Sequence, residues 1–163
     1  MNYLISALFI ITSSVFASSA TAQENIPKLN EQIIAYVKSV MGTQVDRGEC
    51  WDLAAQALNR NNAEWDGMYV YGKEIDPEKD EVFPGDIIQF KNVKVRYVKD
   101  MTIYNEEMKH HTAIVYTVIE PGVYEIAHQN TAYTGRKVGV SKLDLSTVQK
   151  GKLTFYRPKK ENS

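Results

Sequence analysis

The stretch Gly48-Glu49-Cys50-Trp51-Asp52-Leu53-Ala54-Ala55-Gln56-Ala57-Leu58 decides how the rest of the chain is read. Leu53, Ala54, Ala57 and Leu58 share one face at helical spacing, and the alanines, leucines and Gln56 are good helix formers. Gly48 is a natural pivot from loop into helix, which predicts Cys50 in the first turn of a helix running to about Asn59. Cys50 is the only cysteine of the sequence. At a helix start, free N–H groups and the positive end of the dipole favour a thiolate, the nucleophilic form. The alternative role is a small buried residue packing the helix start.

Upstream, Met1 to Ala22 carry no charged side chain, and Tyr3 to Ala17 are mostly apolar. Ala20-Thr21-Ala22 supplies small residues in an A-x-A arrangement. Residues 1–22 therefore read as a signal peptide cut before Gln23, with only the amino terminus as its n-region charge. The run is too short and too interrupted by Ser13 and Ser14 for a membrane anchor. Export to the periplasm or the medium is the expectation, with no stable membrane association after cleavage. An unpaired cysteine in an oxidising compartment risks mispairing, so its retention points to reactivity.

The remainder, Gln23 to Ser163, has the length of one ordinary domain. The whole chain is 44% hydrophobic, enough for a real core, and its formal net charge is −1. A near-neutral balance argues against nucleic acid or a membrane surface as the main partner. Asn30 is placed to cap a helix from Glu31 to Met41, with Ile33, Ile34, Val37, Val40 and Met41 as its apolar stripe and Gly42 as its stop. Gln44 to Gly48 is a loop. Asn61 to Asp80 reads as a wandering surface loop with a strand-like run at Met68 to Tyr71.

From Pro84 the pattern turns to β. Pro84-Gly85-Asp86 is a turn, Ile87 to Phe90 a strand, and Val93 to Val98 a second run that pairs with it. Asp100 to Lys109 reads as a polar loop. His111 to Ile119 is a long strand, turned by Glu120-Pro121-Gly122 and answered by Val123 to Asn130 as a hairpin partner. Lys137 to Leu143 and Leu153 to Tyr156 are two further strands, and the end of the chain is a charged, fraying tail. Helices first and a meandering antiparallel sheet afterwards make an α+β domain.

In such a hairpin, His111 at the start of one strand lies beside His128 near the end of the next. Asn130 shares a face with His128 by strand alternation. A cysteine at a helix start, a histidine on a strand and a third polar group are what a thiol hydrolase needs. A metal site from His110, His111, His128 and Cys50 is disfavoured, because adjacent histidines point apart on a strand; neither a metal nor another cofactor is expected. His110 is expected on the other face, in solvent, and Trp51 as a core or cleft-wall anchor.

Gly48-Glu49-Cys50-Trp51 resembles the G-x-C-W around the nucleophile of papain-type cysteine peptidases. Gln44, six positions before Cys50, stands where those enzymes carry the oxyanion-hole glutamine. Pro84-Gly85-Asp86-Ile87 and His111-Thr112-Ala113-Ile114-Val115 resemble, in order, the strands of the NlpC-type and CHAP (cysteine- and histidine-dependent amidohydrolase/peptidase) branches. His128-Gln129-Asn130 resembles their third motif. The resemblance covers roughly Gln44 to Tyr156 and implies a papain-like fold, N-terminal helices packed on a five- to six-stranded antiparallel sheet. The chain then divides into residues 23–43 as an N-terminal helix, read from its apolar stripe, 44–157 as the domain core of the resembled type, and 158–163 as the tail. The resemblance also implies Cys50 as nucleophile, His111 as general base and acid, His128 or else Asn130 as the orienting residue, and Gln44 in the oxyanion hole. The implied substrate is an amide bond of a peptide or of peptidoglycan. A non-catalytic peptide- or glycan-binding domain of the same fold, and acyl transfer or deamidation by the same dyad, stay open. The segment between the Cys50 helix and Pro84 matches no motif of these branches, and Glu49 and Asp52 set negative charge beside the cysteine, against thiolate formation.

Overall fold

A computed structural model of the protein describes residues 26–160. The expected signal peptide, residues 1–22, lies outside the described residues, as does the end of the tail. Helix α1 spans Lys28–Ser39, beginning earlier than an Asn30 cap would have it. Asn30 lies inside the helix and is fully buried. Its amide donates to the Pro84 carbonyl at 3.0 Å and to Asp86 Oδ1 at 2.8 Å. A tertiary partner has claimed the side chain that local capping would have used. Helix α2 spans Asp52–Arg60, so Cys50 sits in the turn just ahead of it rather than within its first turn.

The 61–80 segment is more ordered than a wandering loop. It holds two short strands, β1 (Ala63–Glu64) and β2 (Lys73–Ile75). Met68 to Tyr71, by contrast, is not a strand. Asp66 Oδ1 accepts the N–H groups of Met68 and Val70 at 2.8 and 3.0 Å, and the Asp66 N–H donates to the Val70 carbonyl. An acidic side chain that closes a turn on its own backbone outcompetes the β preference of the residues after it. Only Tyr71 goes fully inside.

The β half contains strands longer than the sequence pattern suggests. β3 runs unbroken from Ile87 to Lys99 and β4 from Thr102 to Glu120. They pair antiparallel from Ile87↔Ile114 out to Lys99↔Thr102. The expected Asp100–Lys109 loop is thus a tight turn at Asp100 and Met101, both at positive φ, followed by strand. The expected second run Val93 to Val98 is the outer half of β3 itself, with Val93, Val95 and Tyr97 alternating inward and packing near Met108 of β4. The outer part of β4 is mostly polar and largely exposed, which hides it from a hydrophobic pattern. The remaining strands are β5 (Val123–His128), β6 (Gly139–Asp144), β7 (Val148–Arg157) and β8 (Lys159–Lys160). The main sheet has six antiparallel strands in the order β2-β7-β3-β4-β5-β6. β8 pairs with β1, so this part of the expected fraying tail is tied down.

Alternation along the strands divides the core in two. Ile87, Ile114 and Ala127 face the helices and pack with Ile33, Val37, Leu53, Ala57 and Leu58. Ile88, Phe90, Ala113, Val115, Ile126 and Phe155 form the core on the opposite face. Asp86, fully buried, ties the Pro84-Gly85-Asp86 turn to both ends of the domain. Besides Asn30 of α1, it accepts Arg157 Nε on Oδ1 at 2.7 Å and Arg157 Nη2 on Oδ2 at 2.9 Å. A buried carboxylate is stable only when so paired.

Candidate active site

The turn that carries Cys50 is clamped from the end of β5. Gln129, fully buried, accepts the Val45 N–H on Oε1 at 3.1 Å. Its Nε2 donates to the Val45 and Glu49 carbonyls at 3.0 and 2.8 Å. Gly48, at φ 79°, passes so close to Arg136 that an added Cβ would lie 2.6 Å from the Arg136 Cβ. No larger residue fits there. The acids beside the cysteine are both partnered. Asp52 accepts Arg47 Nη2 at 2.8 Å and the Glu49 N–H at 3.0 Å. Glu49 accepts Asn130 Nδ2 at 3.0 Å and pairs with Arg136 at 3.5 Å.

The Cys50 sulfur lies 4.0 Å from the His110 carbonyl oxygen, against the margin of β4. Burial pushes the Cys50 thiol up. The N–H groups of Thr112 and Trp51 oppose that rise without overcoming it, and Glu49 adds to it. The thiolate expected from the helix start is therefore not the resting form. Cys50 precedes α2 instead of lying within it, and desolvation outweighs the N–H groups around the sulfur.

His111 and His128 come together on the face of the sheet away from the helices. His111 Nε2 lies 2.9 Å from His128 Nδ1, and His128 Nε2 lies 2.9 Å from Ser141 Oγ. Burial lowers His111 to about 4. Burial, with the neighbouring His111, lowers His128 to about 3. Both rings are neutral at physiological pH, and His111 Nδ1 makes no hydrogen bond among the described residues. This row borders a cleft of about 1620 Å³ lined also by Tyr97, Tyr104 and Tyr133. Glu106 Oε1 accepts the hydroxyls of Tyr97 and Tyr133 at 2.6 and 2.8 Å.

Other residues singled out in the sequence lie elsewhere. Asn130 does not continue the strand face of His128. It adopts φ 61°, and its amide turns to Glu49. Gln44 is exposed, and its amide donates to the Asp46 carbonyl at 3.0 Å, within its own loop. Among the described residues the Cys50 sulfur makes no hydrogen bond to His111. His110 and His111 project from opposite faces, and no cluster of three or more His, Cys, Asp or Glu side chains suited to a metal occurs among the described residues. Sequence reading missed Ser141 and Gln129. Ser141 becomes visible only through the β5–β6 register, which sets it opposite Ile126. Gln129 stood inside a motif already noted, and strand alternation from Ala127 would have placed it on the helix face.

A nucleophile candidate ahead of a helix and a histidine on the adjoining sheet define a cysteine proteinase fold. The chain belongs to the family of the AIM3/BBC1 cysteine proteinase-fold domain, whose model matches residues 18–162. No curated protein matches the chain. Among solved structures, the crystal structure of Ly7917 is similar at 15% identity and a TM-score of 0.49, over 78% of this chain and 62% of that one. The structure of Ly7917 with the hydrolyzing product of MDP is similar at 17% identity and a TM-score of 0.45, over 79% and 63%. The chain thus spans less than two thirds of the length of those structures.

Proposed function

We propose that the protein is an exported thiol hydrolase that cleaves an amide bond, with peptidoglycan as the substrate class. The observation that carries this reading is the His111–His128–Ser141 row, with His111 Nδ1 left unengaged beside the cleft. For Nδ1 to accept a proton, His111 must carry its own proton on Nε2 and donate it to His128 Nδ1. His128 then holds its proton on Nε2 and donates to Ser141 Oγ. That arrangement satisfies the whole row; the reverse chain, in which Ser141 donates, would leave the proton on His111 Nδ1, so the proposed base requires the first. Because thiol and imidazole are both neutral at rest, the Cys50 proton moves to His111 Nδ1 as the sulfur attacks the carbonyl carbon. The C–N bond then breaks, and the proton passes from His111 to the leaving amine. Water, activated by the same nitrogen, releases the acid from the thioester and restores the thiol. Thiol and imidazole close up with substrate in place, as catalytic contacts often do. The expected export and the NlpC/CHAP resemblance support peptidoglycan.

A second reading is favoured by one observation: the sulfur's partner is a backbone carbonyl, not an imidazole. In that reading the domain binds a peptide or glycan without turnover. Digestion of purified peptidoglycan and muropeptides, followed by mass spectrometry, separates the two. Hydrolysis predicts new amine and carboxyl termini from wild type, lost alike in Cys50→Ala and His111→Ala. Full activity in either variant, or intact substrate with wild type, would sink the hydrolase.

A further inference from the structure

The proposed chemistry uses Cys50 and the row on the far face, and leaves unexplained a buried polar network on the helix face that ends on His110. Tyr71, Gln89 and Thr112 are respectively 0%, 7% and 1% exposed. Tyr71 Oη lies 2.9 Å from Thr112 Oγ1, and Thr112 Oγ1 donates to Gln89 Oε1 at 2.8 Å. At the other end of the amide, Gln89 Nε2 lies 3.1 Å from the Phe90 carbonyl and 3.2 Å from His110 Nδ1. A carbonyl can only accept, so the Phe90 oxygen settles which end of the amide is nitrogen. The second N–H of that nitrogen then meets His110 Nδ1, which must accept it. In its neutral form the His110 ring therefore carries its proton on Nε2, which leaves that nitrogen as a donor.

His110 stands beside the nucleophile. Its own carbonyl is the group 4.0 Å from the Cys50 sulfur. Its ring packs edge-on against Tyr69 at 4.3 Å, and Tyr69 in turn packs against Trp51, the residue after Cys50. The residue as a whole is exposed. Meanwhile Gln44, the side chain that the papain-type pattern offers for the oxyanion hole, is spent on Asp46. We propose that His110, through Nε2–H, is the side-chain donor of the oxyanion hole, and that Gln89 is the positioning residue that sets its tautomer. The donor works with the Cys50 backbone N–H on the negative charge that forms at the carbonyl oxygen.

This inference rests on the hydrolase reading, and its test has two independent readouts. Long-range ¹⁵N–¹H correlation on uniformly labelled protein reports the tautomer of each histidine without any substrate. Wild type is expected to show His110 protonated on Nε2, with the assignment made by loss of the signal in His110→Ala. Gln89→Glu, which presents an acceptor to Nδ1, is expected to move the proton to Nδ1; Gln89→Met serves where the carboxylate unfolds the protein. A wild-type His110 protonated on Nδ1, or a tautomer indifferent to both Gln89 variants, overturns the role of Gln89. In turnover assays His110→Ala is expected to lower kcat by about 10²–10³ with KM moved less than about threefold, and His110→Gln to restore part of it. Unchanged kcat, or a loss confined to KM, overturns the oxyanion role. Absence of turnover in wild type removes the hydrolase and the oxyanion role with it, while the tautomer measurement still judges Gln89.

Discussion

The two faces of β4 treat neighbouring histidines differently. His110 looks toward the helices, is exposed, and meets the amide of Gln89 and the ring of Tyr69. His111 looks the other way, is 7% exposed, and meets Phe90 and His128 at the border of the cleft. Cys50 lies at the strand margin between them, its sulfur against the His110 carbonyl. In the proposed mechanism one covalent neighbour is a donor held by a buried amide, and the other a neutral base held by a buried imidazole. A strand that passes a nucleophile edge-on can serve it from both faces, which a helix cannot do with consecutive residues.

The largest expected effects break this comparison directly. His111→Ala is expected to lower kcat/KM by about 10²–10⁴, the span of a lost general base. The loss in His110→Ala should be smaller and should fall on kcat. Steady-state kinetics on one muropeptide decides it, and a reversed order of the two losses breaks the assignment.

Next is the pH dependence of stability. His111 and His128 titrate at about 4 and about 3 in the fold, against 6.5 for a free histidine. Below pH 6.5 the unfolded chain takes up protons that the folded rings refuse, so stability falls with falling pH down to those values. The slope approaches about 1.4 kcal/mol per pH unit for each ring once the pH is well below 6.5. Urea melts between pH 7 and pH 5 should show this loss, and His128→Gln should flatten it. A slope unchanged by that variant would mean that the far-face pair is not buried neutral.

Gln129 joins the two regions, because it ties the Cys50 turn to the end of β5. Gln129→Ala leaves buried backbone groups of Val45 and Glu49 without partners and is expected to cost about 1–3 kcal/mol in urea melts. A cost near zero would mean that the turn holds itself. The smallest effect is expected for Ser141→Ala. It removes one hydrogen bond at the end of the row, worth about 0.5–1.5 kcal/mol, and should lower kcat about two- to tenfold. Equal kinetics of Ser141→Ala and wild type would shorten the row to the two histidines.

Much of this molecule was open to sequence reading. The apolar stripe of Ile33, Ile34 and Val37 forms the α1 face, Leu53 to Leu58 form the α2 face, and His111 does lie beside His128. These are local periods, and a buried face imposes them on the residues themselves. The long β3–β4 ribbon was legible only in part: Val93 to Val98 reads as strand, but Asp100 to Lys109 is mostly polar and is held chiefly by backbone pairing. Asn30, Gln44 and Asn130 each looked locally placed, as a cap, an oxyanion donor and an orienting group. Each side chain went to another partner, because an amide bonds whatever the tertiary structure brings within about 3 Å. The sequence by itself determined a helix adjoining the cysteine, the α+β order and the two histidines in tandem, while the structure set Cys50 ahead of that helix. Only the tertiary structure decided which histidine met Gln89 and which met His128, and that burial would keep the Cys50 thiol protonated. Strand register and desolvation are properties of the assembled sheet, and no window of residues contains them.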